Sequence, residues 1–122
     1  MTRWRRPDSV PYPSVWSRFN GPKEINGIIP RFFIQDITEE QYEDVIQFME
    51  NGFLRDETLC KFSGLAEDHD SVEDYRKMWR YILEDRLGLV CYMENTDPNG
   101  KPIIAGANCT HIIRKTDPDF ME

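Results

Sequence analysis

The chain has 122 residues, enough for one domain with a modest core, and 39% hydrophobic against 30% charged residues excludes a membrane-embedded protein. Its net charge is −7, and six basic against two acidic residues in positions 1–31 leave the remainder more acidic still. An acidic body is a poor partner for nucleic acid and suits a cationic small molecule such as an amine.

Three cysteines, Cys60, Cys91 and Cys109, are odd in number and widely spaced, which does not read as a secreted disulfide framework. No apolar run approaches the length of a membrane span. Arg3, Arg5 and Arg6 open the chain, but no apolar stretch follows them as a secretion signal requires. A reducing cytoplasm is the expected setting, with no membrane partner.

Residues 1–30 hold Pro7, Pro11, Pro13, Pro22 and Pro30 together with Trp4, Tyr12, Trp16 and Phe19. Proline fixes φ and removes donors, so this stretch reads as an irregular, basic, aromatic N-terminal arm, its first fifteen or so residues a mobile extension. Arg31 to Ile37 is a short apolar run and reads as the first strand. Thr38 with Gln41 three residues on is a capping-box pattern. Tyr42, Val45, Ile46 and Met49 then recur at helical spacing, and Asn51-Gly52 reads as the helix stop.

Beyond the stop, Asn51-Gly-Phe-Leu-Arg-Asp-Glu-Thr-Leu-Cys60 places two carboxylates, Asp56 and Glu57, among Phe53, Leu54, Leu59 and Phe62. One reading is a solvated polar turn. The other is a carboxylate whose charged form is disfavoured by apolar neighbours, raising its pKa toward the range of a base. Ser71 reads as the cap of a second helix, with Val72, Tyr75, Met78, Trp79, Ile82 and Leu83 as its apolar stripe, ending near Leu87-Gly88. Leu89 to Glu94 reads as a strand, and Asp97-Pro-Asn-Gly100 as a turn. Lys101 to Arg114 alternates as a long partner strand, with Ile104, Gly106 and Asn108 on one face and Ile103, Ala105, Ala107 and Cys109 on the other. Asp117-Pro118-Asp119 carries no regular pattern. Cys109 and His111 share a face, yet zinc sites use tighter paired spacing, so no metal site is expected.

The segment Phe53-Leu54-Arg55-Asp56-Glu57-Thr58-Leu59-Cys60 resembles the F-[FL]-x-D-E-P-L segment of insect arylalkylamine N-acetyltransferase-like proteins of the GNAT superfamily. Phe33-Ile34-Gln35-Asp36 before it, then Trp79 to Leu83 and Leu89-Val90-Cys91 after it, follow in that family's order. Thr58 stands where the family usually has proline. The resemblance implies an α+β fold in the order strand, helix, helix, strand, strand. This is a partial GNAT-like antiparallel sheet with two helices, preceded by the arm of residues 1–30.

It also implies an N-acetyltransferase that moves an acetyl group from acetyl-CoA to a small-molecule amine. Glu57 is then the general base, with Phe53 and Leu54 lining the amine pocket and Asp56 placing the loop. The family's Q/R-x-x-G-x-G/A loop does not occur in the chain. Residues 31–122 therefore read as the N-terminal half of the domain. Acetyl-CoA, the co-substrate of the complete domain, is not expected to bind this chain alone. The uncovered strand Ile103–Ile113 is expected to promote self-association. The alternative is a non-catalytic GNAT-derived binding or interaction module.

Overall fold

A computed structural model describes residues 4–117. Four antiparallel strands, β1 (Val15–Asn20), β2 (Arg31–Asp36), β3 (Leu89–Met93) and β4 (Ile103–Asn108), form one sheet in the order β1-β2-β3-β4. Between β2 and β3 run the helices α1 (Tyr42–Asp56), α2 (Thr58–Ser63) and α3 (His69–Leu83). The architecture is an α+β fold matching a partial GNAT-like domain. Pro118 and the residues after it lie outside the described part.

The two long helices follow from their stripes. Tyr42, Val45 and Ile46 of α1 and Val72, Trp79 and Leu83 of α3 are buried in one core with Ile37, Val90 and Tyr92. Phe33 pairs with Tyr92 and Gln35 with Val90, so this face of the sheet is the one the helices cover. Tyr42 ties the start of α1 to the end of α3 by donating its hydroxyl to the Leu83 carbonyl at 3.0 Å.

Four local expectations give way. Gly52 does not stop α1, which continues to Asp56. Glycine in a helix interior costs about 1 kcal/mol, whereas burying a leucine returns about 1.5–3 kcal/mol, and Leu54 two residues on is fully buried. The cap of α3 is Asp68, not Ser71, whose hydroxyl instead donates to the Asp68 carboxylate at 2.8 Å. Strand β4 ends at Asn108, and a bulge leaves Ala105 without a partner between Gly106 and Ile104. The extra residue shifts the alternation, so Ile104 and Ala107 both turn to the core.

The fourth correction concerns the arm. Residues 15–20 are an edge strand, and within residues 4–14 Arg6, Tyr12 and Ser14 are tied to the sheet where a mobile extension is expected. Arg6 reaches Asp36 with its guanidinium and also donates to the carbonyls of Pro11 and Arg86. Tyr12 donates to the Ile37 carbonyl at 2.6 Å. Prolines exclude a central strand, but an edge strand needs donors on one side only.

Candidate active site

Glu57 sits at the joint between two helices. Its backbone is extended (φ −64°, ψ 135°), ending α1 and opening α2 in a single residue. Its N–H closes the last turn of α1 on the Phe53 carbonyl at 3.0 Å. Its carboxylate Oε2 accepts the N–H of Cys60 at 2.9 Å, the geometry of an N-cap.

This cap reverses the electrostatics expected from the sequence. The Cys60 N–H, then the Cys60 thiol and the Leu59 N–H, hold the Glu57 carboxyl below its ordinary value. The apolar neighbours do not enclose it. Leu59 and Phe62 point outward, 77% and 84% exposed. Glu57 is therefore an ionised carboxylate at neutral pH, partly exposed beside apolar side chains.

The other site residues divide by where the helix turn sends them. Leu54 is fully buried in the core, so of the two apolar neighbours only Phe53 offers surface to a ligand. The Phe53 ring meets Trp79 edge-on with centroids 6.2 Å apart, and Trp79 in turn contacts Tyr75 at 5.6 Å. Asp56 is exposed in the last turn of α1. Burial raises the pKa of both the Cys60 thiol and the Tyr75 hydroxyl. Sequence reasoning did not single out Tyr75 or Trp79 for this site; their place in the helix stripe was the only signal.

A separate hollow of about 680 Å³ lies between α1 and the sheet, lined by Phe33, Gln35, Asp44, Phe48, Tyr92 and Ile104. Glu57 does not reach it. Among the described residues no three His, Cys, Asp or Glu side chains converge as a metal site, and no helix is long and apolar enough to cross a membrane.

Among the described residues no helix N-terminus offers a cradle for the pyrophosphate of acetyl-CoA. Such cradles use the free N–H groups of a helix N-terminus. Here each helical segment opens on carboxylates, Glu39 and Glu40 before α1, Glu57 at α2, and Asp68 and Asp70 at α3. These ends already hold negative charge and would repel a second anion.

The sheet, the helix pair on one of its faces and the acidic joint define a GNAT-type acetyltransferase fold. The chain is similar to the crystal structure of an insect "putative arylalkylamine N-acetyltransferase 7" from the yellow fever mosquito, with 35% identity and a TM-score of 0.79. The match covers 95% of this chain and 47% of that one, so the chain spans about half the length of its structural relative. A scan against protein-family models and a search of curated proteins gave no match.

Proposed function

We propose that this chain contributes the amine-binding side of an N-acetyltransferase, with Glu57 receiving the proton of the acceptor amine. The observation that carries the reading is the ionised Glu57 carboxylate at a helix joint, flanked by the exposed Phe53, Leu59 and Phe62. An alkylammonium ion pairs with the carboxylate while its apolar part lies on those side chains. Attack on a thioester needs the nitrogen lone pair, which an ammonium lacks. Glu57 takes the proton, directly or through a water, and leaves the amine neutral. Its lowered pKa keeps it in the accepting form at neutral pH, where the acceptor is chiefly protonated. Asp56 adds a second negative charge beside it. The scattered, free cysteines support a reducing, cytoplasmic setting.

The cap geometry favours a second reading, in which Glu57 only joins two helices and the chain is a non-catalytic binding module. Titration with phenethylamine, followed by amide chemical shifts, separates the two. Saturable changes at Phe53 and at Glu57 to Lys61, abolished by Glu57→Gln, support the amine site. Unmoved amides at millimolar phenethylamine would overturn it.

A further inference from the structure

The acidic side chains of α1 divide by flank. Glu43 meets Arg76 and Arg80, and Glu50 meets Arg76, so the flank toward α3 is matched in charge. The other flank carries Glu40, just before α1, and Asp44 in its first turn. Neither forms an ion pair among the described residues. Both line the hollow between α1 and the sheet, and their one cationic neighbour there, the exposed Lys101, is paired to neither.

The hollow has a defined wall and floor. Asp44, Phe48 and Asn51 follow at one-turn spacing along α1 and form the wall. Phe33, Tyr92 and Ile104 stand abreast on β2, β3 and β4 as the floor, because Phe33 pairs with Tyr92 and Tyr92 with Ile104. Its volume of about 680 Å³ falls in the range of small-molecule sites, roughly 300–1,000 Å³.

Tyr92 independently points to a ligand. The residue is 7% exposed, yet its hydroxyl takes part in no hydrogen bond among the described residues. A buried phenol normally finds a partner. Burial pushes its pKa up and the Asp44 charge pushes it further, so carboxylate and phenol are within electrostatic reach of each other. The floor already receives positive charge. The Arg18 guanidinium lies over the Phe33 ring, 5.4 Å from its centroid, and Glu94 answers that arginine at 3.9 Å.

We infer that this hollow binds a small organic ammonium ion with an apolar tail. The ammonium is shared between the Asp44 carboxylate and the Tyr92 oxygen, and the tail lies on Phe33, Phe48 and Ile104. The carboxylate supplies a charge-assisted hydrogen bond, the phenol accepts a second N–H, and the rings attract the cation. Glu40 and Asp44 oppose an anion. A neutral apolar guest leaves the Tyr92 hydroxyl unanswered. Glu57 does not line the hollow, so this inference and the proposed function can fail separately.

The test titrates the 122-residue chain with phenethylamine at neutral pH, with 2-phenylethanol as the uncharged control. The amides of Phe33, Phe48, Tyr92 and Ile104 should shift saturably with the amine and stay still with the alcohol. Asp44 is exposed, so Asp44→Asn should leave the circular dichroism unchanged while weakening this binding about tenfold or more. Glu57→Gln should leave these shifts intact. Lys101→Met removes the competing cation and should tighten binding about twofold or more, a gain that a damaged fold cannot give. Unmoved amides at millimolar phenethylamine would overturn the proposal. So would equal shifts with the alcohol, wild-type binding in Asp44→Asn, or weaker binding in Lys101→Met.

Discussion

Arg6 and Asp36, thirty residues apart, form a buried two-pronged ion pair, with Nη1 3.1 Å from Oδ1 and Nη2 3.1 Å from Oδ2. The carboxylate also accepts the Ser14 N–H at 2.8 Å and the Trp16 indole N–H at 2.9 Å. Arg6 lies over the Tyr12 and Trp16 rings. The carboxylate thus gathers the arm and the start of β1, and Arg6 extends the link to the turn before β3 by donating to the Arg86 carbonyl at 2.7 Å.

Removing one partner of a buried pair leaves the other charge unpaired, at a cost of about 3–5 kcal/mol. Arg6→Ala should lower stability by an amount in that range, with β1 amides losing protection first. Denaturant unfolding with hydrogen exchange checks both. A variant within about 0.5 kcal/mol of wild type would show the arm to be dispensable.

The same pair sets an acid limb. Burial alone would raise the Asp36 pKa, but the hydrogen bonds from Arg6, Trp16 and Ser14 outweigh it and the net shift is downward. A depressed folded value means the stabilisation is present above the unfolded carboxyl value, about 3.9, and is lost as pH falls through the folded value. Asp36→Asn should therefore be less stable than wild type at neutral pH. The gap should close on acidification below about pH 4. A gap independent of pH would mean that shape, not charge, holds the arm.

Tyr42 offers a test of the contact between α1 and α3. Its hydroxyl is buried against the Leu83 carbonyl, and burial pushes its pKa up to about 12. Tyr42→Phe removes one of two hydrogen bonds at that carbonyl, which still accepts the Arg86 N–H at 3.0 Å, and should cost about 1 kcal/mol. Burial also raises Tyr12, Tyr75 and Tyr92, so ultraviolet titration should show several late tyrosines, and the step near pH 12 should be the one lost in Tyr42→Phe.

Acetyl-CoA should not bind the chain with micromolar affinity, because α1, α2 and α3 each open beside acidic side chains whose charge opposes a second anion. Calorimetry with the 122-residue chain gives the measurement. A one-to-one micromolar isotherm would require a phosphate site built from something other than a helix end.

What the sequence made legible was what local periodicity controls. The stripes of α1 and α3, the apolar runs of β2 and β3, and the Asp97–Gly100 turn each depend on residues a few positions apart. The Gly100 N–H does bond the Asp97 carbonyl, at 2.9 Å. β1 was hidden because its pairing depends on the distant contact between Arg6 and Asp36, and five prolines argue against a strand locally. The bulge at Ala105 has no residue signature, since it is fixed by register against β3. The place of Glu57 came from resemblance, but its ionisation depends on which way the Cys60 N–H points, and that only the fold determines.

Glu57 can be examined on stability and on chemistry at once. Glu57→Gln preserves shape and keeps an acceptor oxygen, but it removes the charge that caps α2 and favours its N-terminus. The melting midpoint should therefore fall slightly and the Cys60 amide should exchange faster, even if the residue has no part in catalysis. Chemistry is read in a joined domain, this chain followed by the unmatched remainder of the mosquito chain. A general base contributes ~10²–10⁴ in rate, so acetyl transfer to phenethylamine at neutral pH should drop by that factor. The loss should shrink as pH rises, because an amine already neutral needs no base. Asp56→Asn should be milder on both measures, since Asp56 stands in solvent and adds only its charge. Equal rates for Glu57→Gln and wild type across the pH range, with the Cys60 amide still loosened, would leave Glu57 as a helix cap and nothing more.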